Sequence, residues 1–98
     1  MGRGQSIEIA GHIFSKKSDA LAYLKDMLNR YHPEEAVSDV DANFLRHALA
    51  KHPSADEKIG SGISSFFVRR ADYGTKCFWI KRVDGTEEKF SYISCISS

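Results

Sequence analysis

Two stretches of this sequence hold residue types that can do chemistry. The first is His52-Pro53, followed by Lys58 and the segment Gly60-Ser61-Gly62. A histidine that exchanges a proton near neutral pH, an ammonium for a phosphate and glycines whose N–H groups can approach an anion are the parts of a phosphodiester-cleaving site. All are common residues, and no spacing forces them together, so the chain is read as non-enzymatic. Lys58 can equally place its charge in solvent or against Asp56 or Glu57. A phosphate loop normally runs from a strand into a helix, whereas this one leads into a strand, so turn geometry is the simpler reason for its glycines. The second stretch supplies Arg69, Trp79, Lys81 and Lys89. An indole flanked by cations on a flat sheet can stack a base and neutralise phosphates together. The same face could dock a protein instead.

No cofactor or metal is expected. His47 and His52 are five residues apart, roughly 140° around a helix axis, and do not share a face. His12 and His32 fall in turn segments with no second ligand nearby. Cys77 and Cys95 are the only cysteines and lack the paired spacing of a zinc site, so reduced thiols are expected. No serine or cysteine lies in a nucleophile motif. Met1-Gly2 with Ser6 fits a myristoylation pattern, and Cys95-Ile96-Ser97-Ser98 half fits a prenylation box, but Ser97 stands where that box wants an aliphatic residue.

The elements that must position these residues belong to one small domain. A chain of 98 residues can enclose one core, and 42% hydrophobic with 28% charged residues is an ordinary globular composition. Residues 1–98 are read as a single domain, with nothing that asks for more than a monomer. Fourteen Lys and Arg against thirteen Asp and Glu leave a formal charge of +1, so any nucleic-acid contact must come from a local patch. No apolar run approaches a membrane span and no secretion signal is visible, which points to the cytoplasm and away from a membrane.

Alternation of Ile7 and Ile9 with polar neighbours predicts a strand over about residues 6–10. Its pairing is open, and an edge beside one of the later strands is the expected place. Ser15 is a candidate cap for a helix over about 16–31, whose stripe is Leu21, Leu24, Leu28 and Tyr31. His32-Pro33 ends it. Ser38, with Asp41 three residues on, opens a second helix with Phe44, Leu45, Ala48 and Leu49 on one face, ended by His52-Pro53. The segment 54–62 reads as a shaped loop. Runs 63–71, 76–82 and 87–93 then read as a three-stranded antiparallel meander. A three-residue Val83-Asp84-Gly85 turn with Gly85 left-handed pairs Phe78 with Phe90 and puts Ile80 and Tyr92 on the same, inward side. Trp79, Lys81, Lys89, Cys77, Ser91 and Ile93 then fall on the other face, with Glu87 opposite Lys81. The expected fold is a two-layer α+β domain of order βααβββ, a helical hairpin over one face of a small sheet.

Taken together, Phe14-Ser15-Lys16-Lys17, Phe44-Leu45, His52-Pro53, Glu57 to Ile63, Cys77-Phe78-Trp79-Ile80, Asp84-Gly85-Thr86 and Phe90-Ser91-Tyr92 with Cys95 resemble the DCL-like domain, named for the plant defective-chloroplasts-and-leaves proteins. The resemblance spans nearly the whole chain. It implies an RNA setting: similar plastid proteins serve ribosomal RNA maturation, and similar domains end the largest subunits of plant RNA polymerases IV and V. Small stand-alone bacterial members are the type this chain is most similar to. The family implies no catalytic residues. Its motif positions His52, Lys58, Gly60, Gly62, Asp84 and Gly85 mark either a site or a structural framework. The implied partner is RNA or an RNA-processing protein.

Overall fold

The computed structural model describes residues 6–71 and 74–97. The Met1-Gly2 pattern, two residues of the first meander turn (Asp72 and Tyr73) and Ser98 lie outside them. The elements run β1 (Ile7–Ile9), β2 (His12–Phe14), α1 (Lys17–Asn29), α2 (Asp39–Leu49), α3 (Ala55–Ile59), β3 (Ile63–Arg70), β4 (Lys76–Arg82), β5 (Glu87–Phe90) and α4 (Tyr92–Ser97). The class is α+β, with the helical pair followed by the three-stranded meander β3-β4-β5.

The register is the one that buries apolar residues on one face. Phe78 faces Phe90 and Val68, and Ile80 faces Phe66, each fully or almost fully buried. Gly85, at φ 90°, closes the three-residue turn by donating its N–H to the Arg82 carbonyl at 2.9 Å. Against this face pack Ala20, Leu24, Met27 and Leu28 of α1 and Phe44, Leu45, Ala48 and Leu49 of α2, recurring at helical spacing. Burying one such large side chain contributes about 1.5–3 kcal/mol.

The inward row of β4 reads Lys76, Phe78, Ile80, Arg82: apolar in the middle, a cation at each end. Each cation caps a helix C-terminus, where carbonyls lack intrahelical donors. Lys76 Nζ reaches the carbonyl of Tyr31, just beyond α1, at 2.9 Å. Arg82 donates to the carbonyls of Lys58 (2.9 Å) and Glu57 (3.2 Å) in α3. The α1–α2 junction is fixed by a buried carboxylate: Asp41 accepts from the Tyr31 hydroxyl and from Arg30, while its own N–H binds Ser38 Oγ as a cap.

Four expectations are corrected. First, β1 does not join the meander; it pairs with β2 across the two-residue turn Ala10-Gly11, both at positive φ, because the turn folds Ile13 and Phe14 straight back onto it. His12 is therefore in a strand. The edge of β3 is occupied instead by residues 34–37, which exchange main-chain bonds with Phe66 and Val68. Second, 54–62 is not all loop but holds the one-turn-plus helix α3, whose backbone ends are tied down by Arg82. Third, the last strand stops at Phe90. Tyr92, Cys95 and Ile96 are spaced for a helix, and burying Cys95 and Ile96 against α1 and α2 outweighs the alternation of Phe90-Ser91-Tyr92-Ile93. Ile93 is thereby left 52% exposed on α4 and is not on the sheet. Tyr92 keeps its inward side, its ring edge-on to Phe78. Fourth, Ser15 is not the cap of α1. Lys16 occupies that position, and Ser15 Oγ binds the Asp19 carboxylate at 2.9 Å.

Candidate functional site

Strand parity sends Phe67, Arg69, Trp79, Lys81, Glu87 and Lys89 to the face away from the helices. There Phe67 sits opposite Trp79, and their rings stack at 6.1 Å with 24° between planes. Arg69, two residues along β3, lays its guanidinium over both rings, 4.7 Å from the Phe67 centroid and 5.1 Å from that of Trp79. Two carboxylates hold it there: Glu34 accepts from Nε (2.9 Å) and Nη2 (3.1 Å), and Glu87 accepts from Nη1 at 2.9 Å. These bonds, first that from Glu34, raise the Arg69 pKa further. The rings thus carry a cationic cover of their own. Trp79 is half-buried, and its indole N–H is shielded with no acceptor among the described residues. Lys89 is directly across from Trp79, Lys81 directly across from Glu87, and both lysines are exposed. Four expected surface residues, Arg69, Trp79, Lys81 and Lys89, therefore share one face.

The other candidates divide into a framework and a cleft. Gly60, Gly62, Asp84 and Gly85 belong to the framework that docks α3 onto the β4–β5 turn. A Cβ at Gly60, which has φ 54°, would stand 2.9 Å from Arg82 Nε, so the backbone approach that lets Arg82 cap α3 requires glycine. The Gly62 carbonyl accepts from Val83 N–H at 3.0 Å. Asp84 binds the Thr86 hydroxyl and N–H and also the Ser61 side chain, with its pKa lowered chiefly by Thr86.

His52 and Lys58 do converge, on a cleft of about 400 Å³ beside the outer edge of β5, lined also by Ala71, Cys77, Lys89, Phe90, Ser91 and Ser94. Lys58 Nζ donates to Glu88 at 2.7 Å and to the Lys89 carbonyl at 3.1 Å. Glu88 is shared, its other oxygen accepting from Arg82 at 2.7 Å. Hydrogen bonds from Lys58 and then Arg82 keep the Glu88 carboxyl below its ordinary pKa. His52 Nδ1 accepts from Ser54 N–H at 2.9 Å, which leaves the proton of the neutral ring on Nε2. Burial and then the Lys58 charge lower the His52 pKa. Cys77 donates its S–H to the Phe90 carbonyl, and burial pushes its pKa up. Cys95 lies in the core with its pKa pushed up to about 12, so neither thiol is a nucleophile near neutrality and the prenylation-like cysteine is shut away from solvent.

Arg82, Glu88 and Asp41 were missed as organising residues. The signal for Arg82 was available, since parity with Phe78 and Ile80 puts it on the inward row. Among the described residues no cluster of three or more His, Cys, Asp and Glu could hold a metal, and no helix is long and apolar enough to cross a membrane.

Residues 25–96 match the family model described as "Protein of unknown function (DUF3223)". The chain is 34% identical over 98 aligned residues to DNA-directed RNA polymerase IV subunit 1 of Arabidopsis thaliana, covering 97% of this chain and 7% of that protein. It is 29% identical over 83 residues to DNA-directed RNA polymerase V subunit 1 of the same plant, covering 76% of this chain and 4% of the subunit. Protein EMBRYO DEFECTIVE 514, also from Arabidopsis thaliana, is 32% identical over 66 residues, covering 60% of this chain and 33% of that protein. This chain therefore spans a third or less of these relatives. A solution NMR structure of an uncharacterized protein from Rhodospirillum rubrum superposes with a TM-score of 0.90 at 59% identity, covering 98% of this chain and 92% of that one.

Proposed function

Because the chain belongs to the family described as protein of unknown function DUF3223 and is similar to subunits of two plant RNA polymerases, we propose that it is a non-enzymatic binding module of RNA synthesis or maturation. On this reading it takes single-stranded RNA on the sheet face turned away from the helices. The observation that carries the reading is the juxtaposition of the Phe67–Trp79 stack with Arg69, Lys81 and Lys89 on one flat surface. The aromatic pair offers stacking, and RNA phosphates would compete with Glu34 and Glu87 for the guanidinium.

The lone tryptophan makes the test direct, since indole fluorescence reports on this face alone. Titration with a single-stranded RNA oligonucleotide is expected to change Trp79 emission with an affinity that falls as salt rises. A Lys81→Gln, Lys89→Gln double variant should weaken binding and reduce the salt slope by roughly one to two units. Absence of any salt-sensitive change at Trp79 removes the RNA reading. The second reading, a protein-docking face, is favoured by the neutralisation of Arg69 by two glutamates. A partner pulled down after nuclease treatment and lost with Trp79→Ala would select it.

A further inference from the structure

The cleft beside β5 has the donor set of an anion site, and it lies apart from the aromatic stack. Among its described lining residues are two lysines and a histidine, two hydroxyls and no carboxylate. The nearest acid, Glu88, is already shared between Lys58 and Arg82 at 2.7 Å each, so one negative charge answers two positive ones and the triad keeps a net charge of +1. Lys89 lines the same cleft and adds to that field. Asp56 and Glu57 line a second cleft, which shares His52 with this one.

Donors remain after the internal bonds are counted. Lys58 has three N–H bonds and spends two, on Glu88 and the Lys89 carbonyl. His52 accepts at Nδ1 and so presents a donor at Nε2. Ser91 Oγ accepts from Ser94 N–H at 3.4 Å, which leaves its own hydroxyl proton to give. Ala71 and Cys77 also border the cleft, and about 400 Å³ is more room than one phosphate requires.

We propose that the cleft formed by His52, Lys58, Lys89 and Ser91 binds a phosphate group carried on a small organic body, as at the end of a nucleotide or within a strand. Lys89 borders both this cleft and the sheet face, but His52, Lys58 and Ser91 line the cleft and Trp79 and Lys81 do not, so Lys58→Gln and Trp79→Ala separate the two readings. A bound phosphate sits against His52 and favours its protonated form, opposing the Lys58 charge that now disfavours it.

The test is a ¹H–¹⁵N titration of the full chain with inorganic phosphate, with a 5′-phosphorylated RNA trinucleotide and with the same trinucleotide lacking the terminal phosphate. Inorganic phosphate is expected to shift the Lys89, Ser91 and Ser94 amides saturably and to raise the His52 titration midpoint. Lys58→Gln should weaken binding roughly tenfold or more, one charge-assisted hydrogen bond being lost. Lys89→Gln, which leaves the Glu88 triad intact, serves if Lys58→Gln spoils the spectrum. Trp79→Ala should leave the cleft shifts unchanged while abolishing any binding on the sheet face. Preference for the phosphorylated trinucleotide identifies a terminal monoester, and equal binding of both identifies a strand diester. Shifts that do not saturate, that persist undiminished in both lysine variants, or that leave the His52 midpoint in place overturn the site.

Discussion

Glu87 and Glu88 are consecutive residues of β5 that leave the strand on opposite faces, and each holds an arginine. Glu87 meets Arg69 on the open face at 2.9 Å, where the guanidinium side chain is 32% exposed and lies over two rings. Glu88 meets Arg82 on the helix side at 2.7 Å, where that side chain is 12% exposed and also caps α3. The chemistry is the same and the environment is not. The inward pair joins three segments that would otherwise leave carbonyls without donors, whereas the outward pair arranges a surface. Ion pairs of one type thus serve the framework on one side of a strand and an exposed face on the other.

The largest expected effect comes from Arg82→Met, which should cost about 2–4 kcal/mol because it takes the donor from two α3 carbonyls and leaves Glu88 with Lys58 as its one cation. A urea unfolding midpoint measures it, and a loss no greater than that of Arg69→Met would erase the distinction between the faces. Glu88→Gln should cost less, about 1–2 kcal/mol. Since the folded pKa of Glu88 is depressed, its contribution is complete above the ordinary value of 4.5 and fades as pH falls through the lower folded pKa. Unfolding of the variant across that acid range should therefore depend less on pH than unfolding of the parent. The outward pair should show only a weak coupling in an Arg69/Glu87 double-mutant cycle, further reduced by salt. Arg69→Met should nevertheless alter Trp79 emission by removing the cation from the ring. The smallest effect belongs to His52, whose NMR titration midpoint should lie below 6.5 and rise in Lys58→Met. With the folded pKa below the unfolded one, its small contribution is present above pH 6.5 and declines as pH falls from there, the unfolded chain taking the proton first.

The open face was legible in the sequence because strand parity is a two-state choice. Placing Phe78 and Phe90 together inward leaves Trp79, Lys81 and Lys89 no other side, and only one turn length does so. That Arg69 already covers the rings was not legible, since it needs Glu34, brought in by the segment that borders β3. The cleft was half legible: His52 and Lys58 stood out by residue type, but their meeting depends on α3, five residues that carry no helical period of their own. The run from Phe90 to Ile96 satisfies both a period of two and a period of 3.6 over so short a length, and only the hole between α1 and α2 decides for the helix. Asp41 looked like a capping residue and is one only in part, its carboxylate being turned inward to a tyrosine 10 residues earlier.

The position of α4 bears on how the chain folds as it is made. A ribosome that has released residues only up to Phe90 has delivered every strand and both long helices, yet the space between those helices that Cys95 and Ile96 occupy is still open. The nascent domain at that stage exposes an oily seam and lacks the cooperative lock of its finished form. A chain cut after Phe90 is therefore expected to be less stable than one that carries α4, because Cys95 and Ile96 complete the core.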